Sequence, residues 1–450
     1  MRHQINYLHQ DYNLLQNETF IKKAQLLNTN HFTRNRKMPL NKLIPHILTR
    51  KGTTLSIELK RYHQTIQQTM NQTNTNNDDD QPITKTGYLN QRKKLNPQAL
   101  ETLCDYHTTR LYTNNKPDLH LINGYLAIAC DGSNTNLPTT KENLEKYGNT
   151  TSHGTKPQAS LGLSCCYDVL NKVILNCTLN PPQFNEIAQI KNHLQKLPTL
   201  TDHIPTIILL DRAYPSLGLF VPWLENDQKF VIRLKKSNFK TERAQMKTLD
   251  EKVTLKLTPH RIAYHRGTEI YETLAQTPSI CLRIVNILQK DGCYVSVVTN
   301  LDERFSALDV GHLYSLRWGV ETAFDMLKNQ LELENFSGVR PVLIEQDVFA
   351  CVYLCNLVSD LVADAQVVYD SRGGVSMHRM VVNRGFAVGV LKDELILVVL
   401  DPDRVRGEAR FLAMVSLVER QVLPVRPDRH FPRNKGNFAG KYCNTHKRCY

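Results

Sequence analysis

The sequence has no uninterrupted apolar run of about 18 residues, the length a membrane-crossing helix needs, so no transmembrane segment is expected. The longest candidate, VFACVYLCNLVSDLVADAQVV over residues 348–368, is broken by Asp360 and Asp364. The opening stretch, MRHQINYLHQDYNLLQ, lacks the apolar centre of an export signal. Common catalytic signatures are also missing: no GxxxxGK[ST], no GxGxxG after a strand, no HExxH and no GxSxG. These absences exclude the usual nucleotide-binding, zinc-protease and α/β-hydrolase chemistries. Eleven cysteines, an odd number with no export signal, suggest reduced thiols in the cytoplasm. Cys165 with Cys166, and Cys351 with Cys355, lack zinc-knuckle spacing; Cys443, His446 and Cys449 are the one tail grouping of metal-binding residue types. No repeat of 20–50 residues is visible.

Acidic residues are in short supply. Lys and Arg number 56 against 43 Asp and Glu, a formal charge of +13, which favours a polyanionic partner, nucleic acid ahead of a membrane surface. With 41% apolar and 22% charged residues in 450, the chain is long enough for two or three domains with sizeable cores.

The texture divides the chain. Residues 1–115 are rich in Asn, Thr, Gln and Lys and read as a helical region. PLNKLIPHILTRKG carries Leu40, Leu43, Ile44, Ile47 and Leu48 at helical spacing, TLSIELKRYHQTI suggests a second helix, and NQTNTNNDDDQP reads as a polar linker. In TKTGYLNQRKKLNPQALETLCDYHTTRLY two helices are expected, with Asn96 as N-cap and Pro97 at the first helical position. Arg92, Lys93 and Lys94 form a cluster able to grip phosphates, or a solvated helix face. Residues 116–244 alternate strands and helices: GYLAIACDGS is a strand ending at Asp131, and TIILLDRAYPS a buried strand ending at Asp211. Residues 245–300 are strand-dense, with KVTLKL, RIAYHR, ICLRIVNIL and CYVSVVTNL. Residues 301–370 return to helix. From about residue 371 to 450 Arg, Val and Gly replace Lys and Asn, ending in a basic tail.

Carboxylates at strand ends are the chemistry the chain does carry. Asp131 and Asp211 each sit where an α/β sheet delivers side chains to its carboxyl edge, the edge where ligands bind. The segment HLYSLRWGVETAFDMLKNQ, residues 312–330, adds a third. At about 100° per residue with Arg317 at zero, Lys328, Glu321, Tyr314 and Asp325 fall at about 20°, 40°, 60° and 80°. Leu313, Leu316, Val320, Phe324 and Leu327 occupy the adjoining sector. A surface helix laced by i,i+4 pairs explains this poorly, because Glu321 and Asp325 repel. Three converging carboxylates make a hard-oxygen site suited to Mg²⁺ or Mn²⁺, and two such ions about 3.5–4 Å apart can clamp an in-line phosphoryl displacement.

The spacing Tyr314-x2-Arg317-x3-Glu321-x6-Lys328 resembles the Tyr-Arg-Glu-Lys signature of one large group of bacterial insertion-sequence transposases of the DDE type. IACDGSNTNLP resembles that group's first-Asp motif and IILLDRAYPS its second. FTRNRKMPLNKLI, TKTGYLNQRKKLNPQAL and FPRNKGN resemble its N-terminal region and basic tail. The resemblance implies a ribonuclease-H-like mixed sheet, with a β-rich insertion before the catalytic Glu helix and an N-terminal helical DNA-binding region. It implies Asp131, Asp211 and Glu321 as the triad holding two Mg²⁺ or Mn²⁺ ions, with Tyr314, Arg317 and Lys328 on the backbone of the element's end. The implied reaction is cut-and-paste transposition, in which terminal inverted repeats are cleaved and the freed 3′-hydroxyl attacks target DNA, by a homodimer in a synaptic complex at the nucleoid. Asp325 matches no signature position. Trp318 is expected to anchor its helix in the core, with base stacking as the alternative. Two other readings stay open: an inactive DNA-binding derivative acting as a repressor, and a stand-alone metal-dependent nuclease of the same fold.

Overall fold

The computed structural model describes residues 4–26, 30–34, 37–70, 81–114, 116–150, 157–289, 292–373 and 376–426. Residues 71–80 of the polar linker, residues 35 and 36, FPRNKGN, and Cys443, His446 and Cys449 lie outside them. All described cysteines are free thiols.

Nine strands build the main sheet. β1 (Leu126–Asn136), β2 (Asn149–Thr150), β3 (Gln158–Asp168), β4 (Val173–Asn180), β5 (Thr206–Leu210) and β6 (Lys229–Arg233) are followed by β7 (Asp250–Lys256), β8 (Ser279–Leu288) and β9 (Tyr294–Thr299). The order is β2-β3-β1-β5-β6-β9-β8-β7, with β4 also paired to β3. β3 runs antiparallel to β1 and β4, while β5 and β6 run parallel to β1. The strand-dense stretch does not stand apart: β9 pairs antiparallel with β6, and β8 and β7 extend the same sheet outward. RIAYHR, read from sequence as a strand, is instead the short helix Pro259–Ile262 and a 3₁₀ turn, since Pro259 starts a helix and removes a ladder donor.

Both faces of this sheet are covered, so its inner strands are apolar on alternate positions of each face. Ala127, Ala129, Ile207, Leu209 and Val231 pack into one core, and Leu126, Ile128, Ile208, Leu210, Phe230 and Ile232 into the other. The second core is roofed by the helices Glu186–Leu200 and Leu217–Glu225, through Ile190, Leu197, Phe220 and Trp223. The first is covered by the helices that follow β9 and by the helix Pro341–Ser371.

That long helix is apolar enough in length and composition to cross a membrane, but it is the buried spine of the protein. Its polar residues have internal partners. Asn356 exchanges hydrogen bonds with the backbone of Ile174, accepting from its N and donating to its O, both at 2.9 Å, next to the irregularity in the β3–β4 ladder. Asp360 faces His107 Nε2 at 3.0 Å, while His107 Nδ1 meets Asp11 at 2.8 Å. This ties the N-terminal helix Gln4–Leu14 and the helix Pro97–Asn114 to the spine. As read from sequence, Asn96 caps the latter, accepting from Gln98 N at 3.1 Å, and Pro97 opens it. The helices Arg384–Val399 and Arg404–Glu419 close over the spine and the helix Leu40–Thr49.

Candidate active site

Strand alternation aims the first carboxylate. Ala127 and Ala129 enter the core beneath the helices after β9, and Asp131 and Ser133 follow them on that face of β1. β1 does not end at Asp131, as its sequence suggests. It continues to Asn136 because β3 keeps pairing with it as far as Ser160. β5 is shorter, and its ladder with β1 stops at Ala129–Leu209. Beyond that point β1 has no partner on the β5 side, and the notch opens at Asp131. Asp211, the residue after β5, arrives beside it, its side chain accepting a hydrogen bond from Ala213 N.

The third carboxylate comes from a helix of uneven pitch. The sequence suggests one regular helix over residues 312–330, but the structure breaks it into Ala307–Leu316, Gly319–Asp325 and a π-helical turn Met326–Gln330. Between the first two the backbone tightens to i→i−3 bonds, with Arg317 N on Tyr314 O and Glu321 N on Trp318 O. The 100° wheel therefore fails locally. Overwinding here and underwinding after Asp325 change which side chains face the strand.

Arg317 joins the parts. Its Nη2 donates to Glu321 at 3.0 Å, and its Nη1 lies 3.5 Å from Asp131 Oδ2. Its side chain is 10% exposed, against 24% for Asp131 and 33% for Glu321, so the cluster is half sheltered. Burial pushes the Asp131 carboxyl up to about 6. The Gly132 amide and Arg317 oppose that rise, and Glu186 and Asp211 add to it. Tyr314, half-buried, lies within electrostatic reach of Arg317. Lys328 Nζ donates to Ser133 Oγ and to Asn134 O, both at 2.6 Å. This fixes the π-helical turn to β1 just past Asp131. Burial lowers its pKa, and Glu334 partly restores it. Asp325 accepts from Asn329 at 2.6 Å within its own helix.

Two expectations need correction. Arg92 cannot grip DNA: it is fully buried, donating to Gln346 (2.8 Å), Leu343 O (3.1 Å), Asp347 (3.0 Å) and Ser337. Among its neighbours, Lys93 is exposed and Lys94 half-exposed. Trp318 is no core anchor, being 49% exposed, because the tightened turn rotates it outward.

Sequence reasoning passed over Glu186 and Tyr214. Glu186 opens its helix and looks like any acidic first-turn residue, so no local signal distinguishes it. Tyr214, three residues past Asp211, is buried, and burial with the neighbouring Glu186 and Asp131 carboxylates pushes its hydroxyl well above the ordinary range.

Among the described residues, no three His, Cys, Asp or Glu side chains lie close enough together to hold a metal ion. The donor chemistry nonetheless fits a hard divalent cation. Asp131, Asp211 and Glu321 supply only carboxylate oxygens, the donor type that hard divalent cations take.

The family model for the transposase DDE domain matches residues 122–357, from just before β1 into the spine helix. The chain is 23% identical over 385 residues to the transposase InsG for insertion sequence element IS4 of Escherichia coli (strain K12), covering 81% of this chain and 79% of that one. Among solved structures, the piggyBac transposase in its synaptic complex with hairpin DNA aligns with a TM-score of 0.45 and 9% identity, over 90% of this chain and 84% of that one. The match spans the strands that carry Asp131 and Asp211 and the helix that carries Glu321, and the chain belongs to the DDE transposase family.

Proposed function

We propose that this transposase moves an insertion sequence by cut-and-paste transposition, with Asp131, Asp211 and Glu321 as its metal-binding triad. The observation that carries this reading is the Arg317 bridge, which gathers Asp131 from a strand and Glu321 from a helix at the notch where Asp211 arrives. The strand arrangement supports a ribonuclease-H-like core: three antiparallel strands, β4-β3-β1, continue into the parallel pair β5-β6. On this reading β7 to β9 are the β-rich insertion, joined to the sheet's far edge and preceding the Glu helix.

When bound, two Mg²⁺ or Mn²⁺ ions supply an activated water and charge stabilisation at the attacked phosphorus. The chain's own groups do the rest. Arg317 and Lys328, both largely sheltered, present fixed positive charge beside the triad, where a backbone phosphate of the element's end passes. Tyr314 lines the same side. Lys93 and Lys94 lie on the N-terminal helical region and add non-specific phosphate contacts there. Strand transfer follows when the freed 3′-hydroxyl of a terminal inverted repeat attacks target DNA at the same site. Two ends must be handled together, which suits a homodimer acting at the nucleoid.

A plasmid excision assay tests this reading. A marker bracketed by the inverted repeats that flank the coding region should be excised when the protein is expressed, and retained with Glu321→Ala. Retention with the wild-type protein, or equal excision by the variant, refutes it.

A further inference from the structure

We propose that the edge of the sheet at the carboxyl ends of β5 and β6, running on to the start of β7, is a basic track that seats the target duplex. This rests on the strand-transfer reading above and adds where the second DNA lies.

Topology carries the placement. β1, β5 and β6 are parallel, so the residues that follow β5 and β6 leave the sheet at the edge where Asp131 and Asp211 stand. β9 and β7 run the other way and begin at that edge. Arg212 follows Asp211, Lys235 and Lys236 follow β6, Lys240 opens the helix Lys240–Gln245, and Lys247 precedes β7. All five are exposed. The acids nearby are already engaged. Glu251 accepts from the amides of Lys247 and Thr248 at 2.7 and 3.2 Å, Asp250 holds Arg283 Nε at 2.7 Å, and Glu242 holds Arg261 at 2.5 Å. From β5 to β7 the four strand spacings cover about 19 Å, the rise of five or six base pairs.

The turn after β6 is built to face outward. Asn238 Oδ1 accepts from Lys235 N at 2.7 Å, and Arg243 Nη1 donates to Lys235 O at 3.2 Å. Arg243 Nη2 donates to Ser296 Oγ on β9 at 2.7 Å, which pins the turn to the sheet. With these polar groups satisfied, the Lys235 and Lys236 side chains are presented to solvent from fixed backbone. Lysines commonly guard an open strand edge. That edge here is β7, which carries its own exposed Lys252 and Lys256, whereas β6 is flanked by β5 and β9. Edge protection therefore does not explain Lys235 and Lys236.

The signature cations lie the other way. Lys328 is bonded to Ser133 and Asn134 of β1, past the end of its ladder with β5. An element end held there and a target held from β5 to β7 would meet at the triad from opposite sides, as attack of one duplex on another requires.

Joining of a pre-cut terminal-repeat duplex to a supercoiled plasmid, with the full chain and Mg²⁺, tests this. Lys235→Ala/Lys236→Ala should lower joining about tenfold at physiological salt and reduce the salt slope for binding a duplex without the repeat by about 2. End binding and end cleavage should stay as in wild type. Lys235→Arg/Lys236→Arg, which keeps the charge, should join normally, and failure equal to that of the alanine pair would contradict a charge contact. Unchanged joining in the alanine pair, or lower joining with no change in slope, overturns the track. Equal loss of end binding and joining would put the element's end on this edge and overturn it as well. Absence of joining by the wild-type protein refutes the strand-transfer reading itself, a failure told apart because it precedes any substitution in the track.

Discussion

Arg317 Nη1 stands 3.5 Å from Asp131 Oδ2, linking a helix turn to a strand position far away in the chain. The same guanidinium holds Glu321, so its removal separates two members of the proposed triad and removes positive charge from the proposed DNA path. Arg317→Ala is expected to lower end cleavage on the order of a hundredfold and to reduce the salt slope of end binding by about 1. Arg317→Lys should recover little, because a point charge cannot serve two carboxylates as a planar fork does. Cleavage kinetics and binding isotherms at several salt concentrations check both.

Arg92 and Lys93 are adjacent but should behave oppositely. Arg92→Ala leaves Asp347 buried without that partner and should cost about 3–5 kcal/mol in urea unfolding. Lys93→Ala should leave stability within about 0.5 kcal/mol of wild type and weaken DNA binding uniformly across sequences.

His107 should make the fold sensitive to alkali. Burial disfavours its charge, but Asp11 and Asp360 on either side outweigh that and raise its pKa to about 10. The folded value exceeds the ordinary 6.5, so the stabilisation is complete below about pH 6.5 and lost as pH rises through 10. Wild-type melting temperature should fall across that upper range, and His107→Gln should start lower and fall less.

Asp131 gives the same sign in a lower window. Its carboxyl titrates near 6 instead of 3.8, so folding favours the protonated form. That contribution is full below pH 3.8 and lost as pH rises through about 6. In metal-free buffer, Asp131→Asn should gain stability relative to wild type between acid and neutral pH. Parallel melting curves across that range would contradict the shift.

Much of this was legible beforehand where periodicity and local chemistry decide structure. Asn96-Pro97 and the amphipathic run at Leu40–Thr49 fixed helix starts and faces, and apolar runs ending in Asp131 and Asp211 marked neighbouring strands. Other features depend on contacts distant in sequence. Arg92 is basic in a basic cluster, and only the partners around Asp347 make it a core residue. Trp318 looked like a core anchor because a regular helix was assumed, whereas the tightened turn at Tyr314–Trp318 sends it outward. Strand β1 outran its motif because β3 is long. Glu186 was invisible because the notch between β1 and β5 exists only once their unequal ladder is formed.

The most direct measurement is end cleavage in vitro. Purified protein is incubated with a labelled duplex carrying the terminal inverted repeat, with and without Mg²⁺. The expected result is a cut at the element's end that requires the ion and disappears in Asp131→Asn, Asp211→Asn and Glu321→Gln, each still binding the duplex. Cleavage of equal rate without a divalent ion, or in any one of the three variants, would contradict a metal-binding triad at the Arg317 bridge.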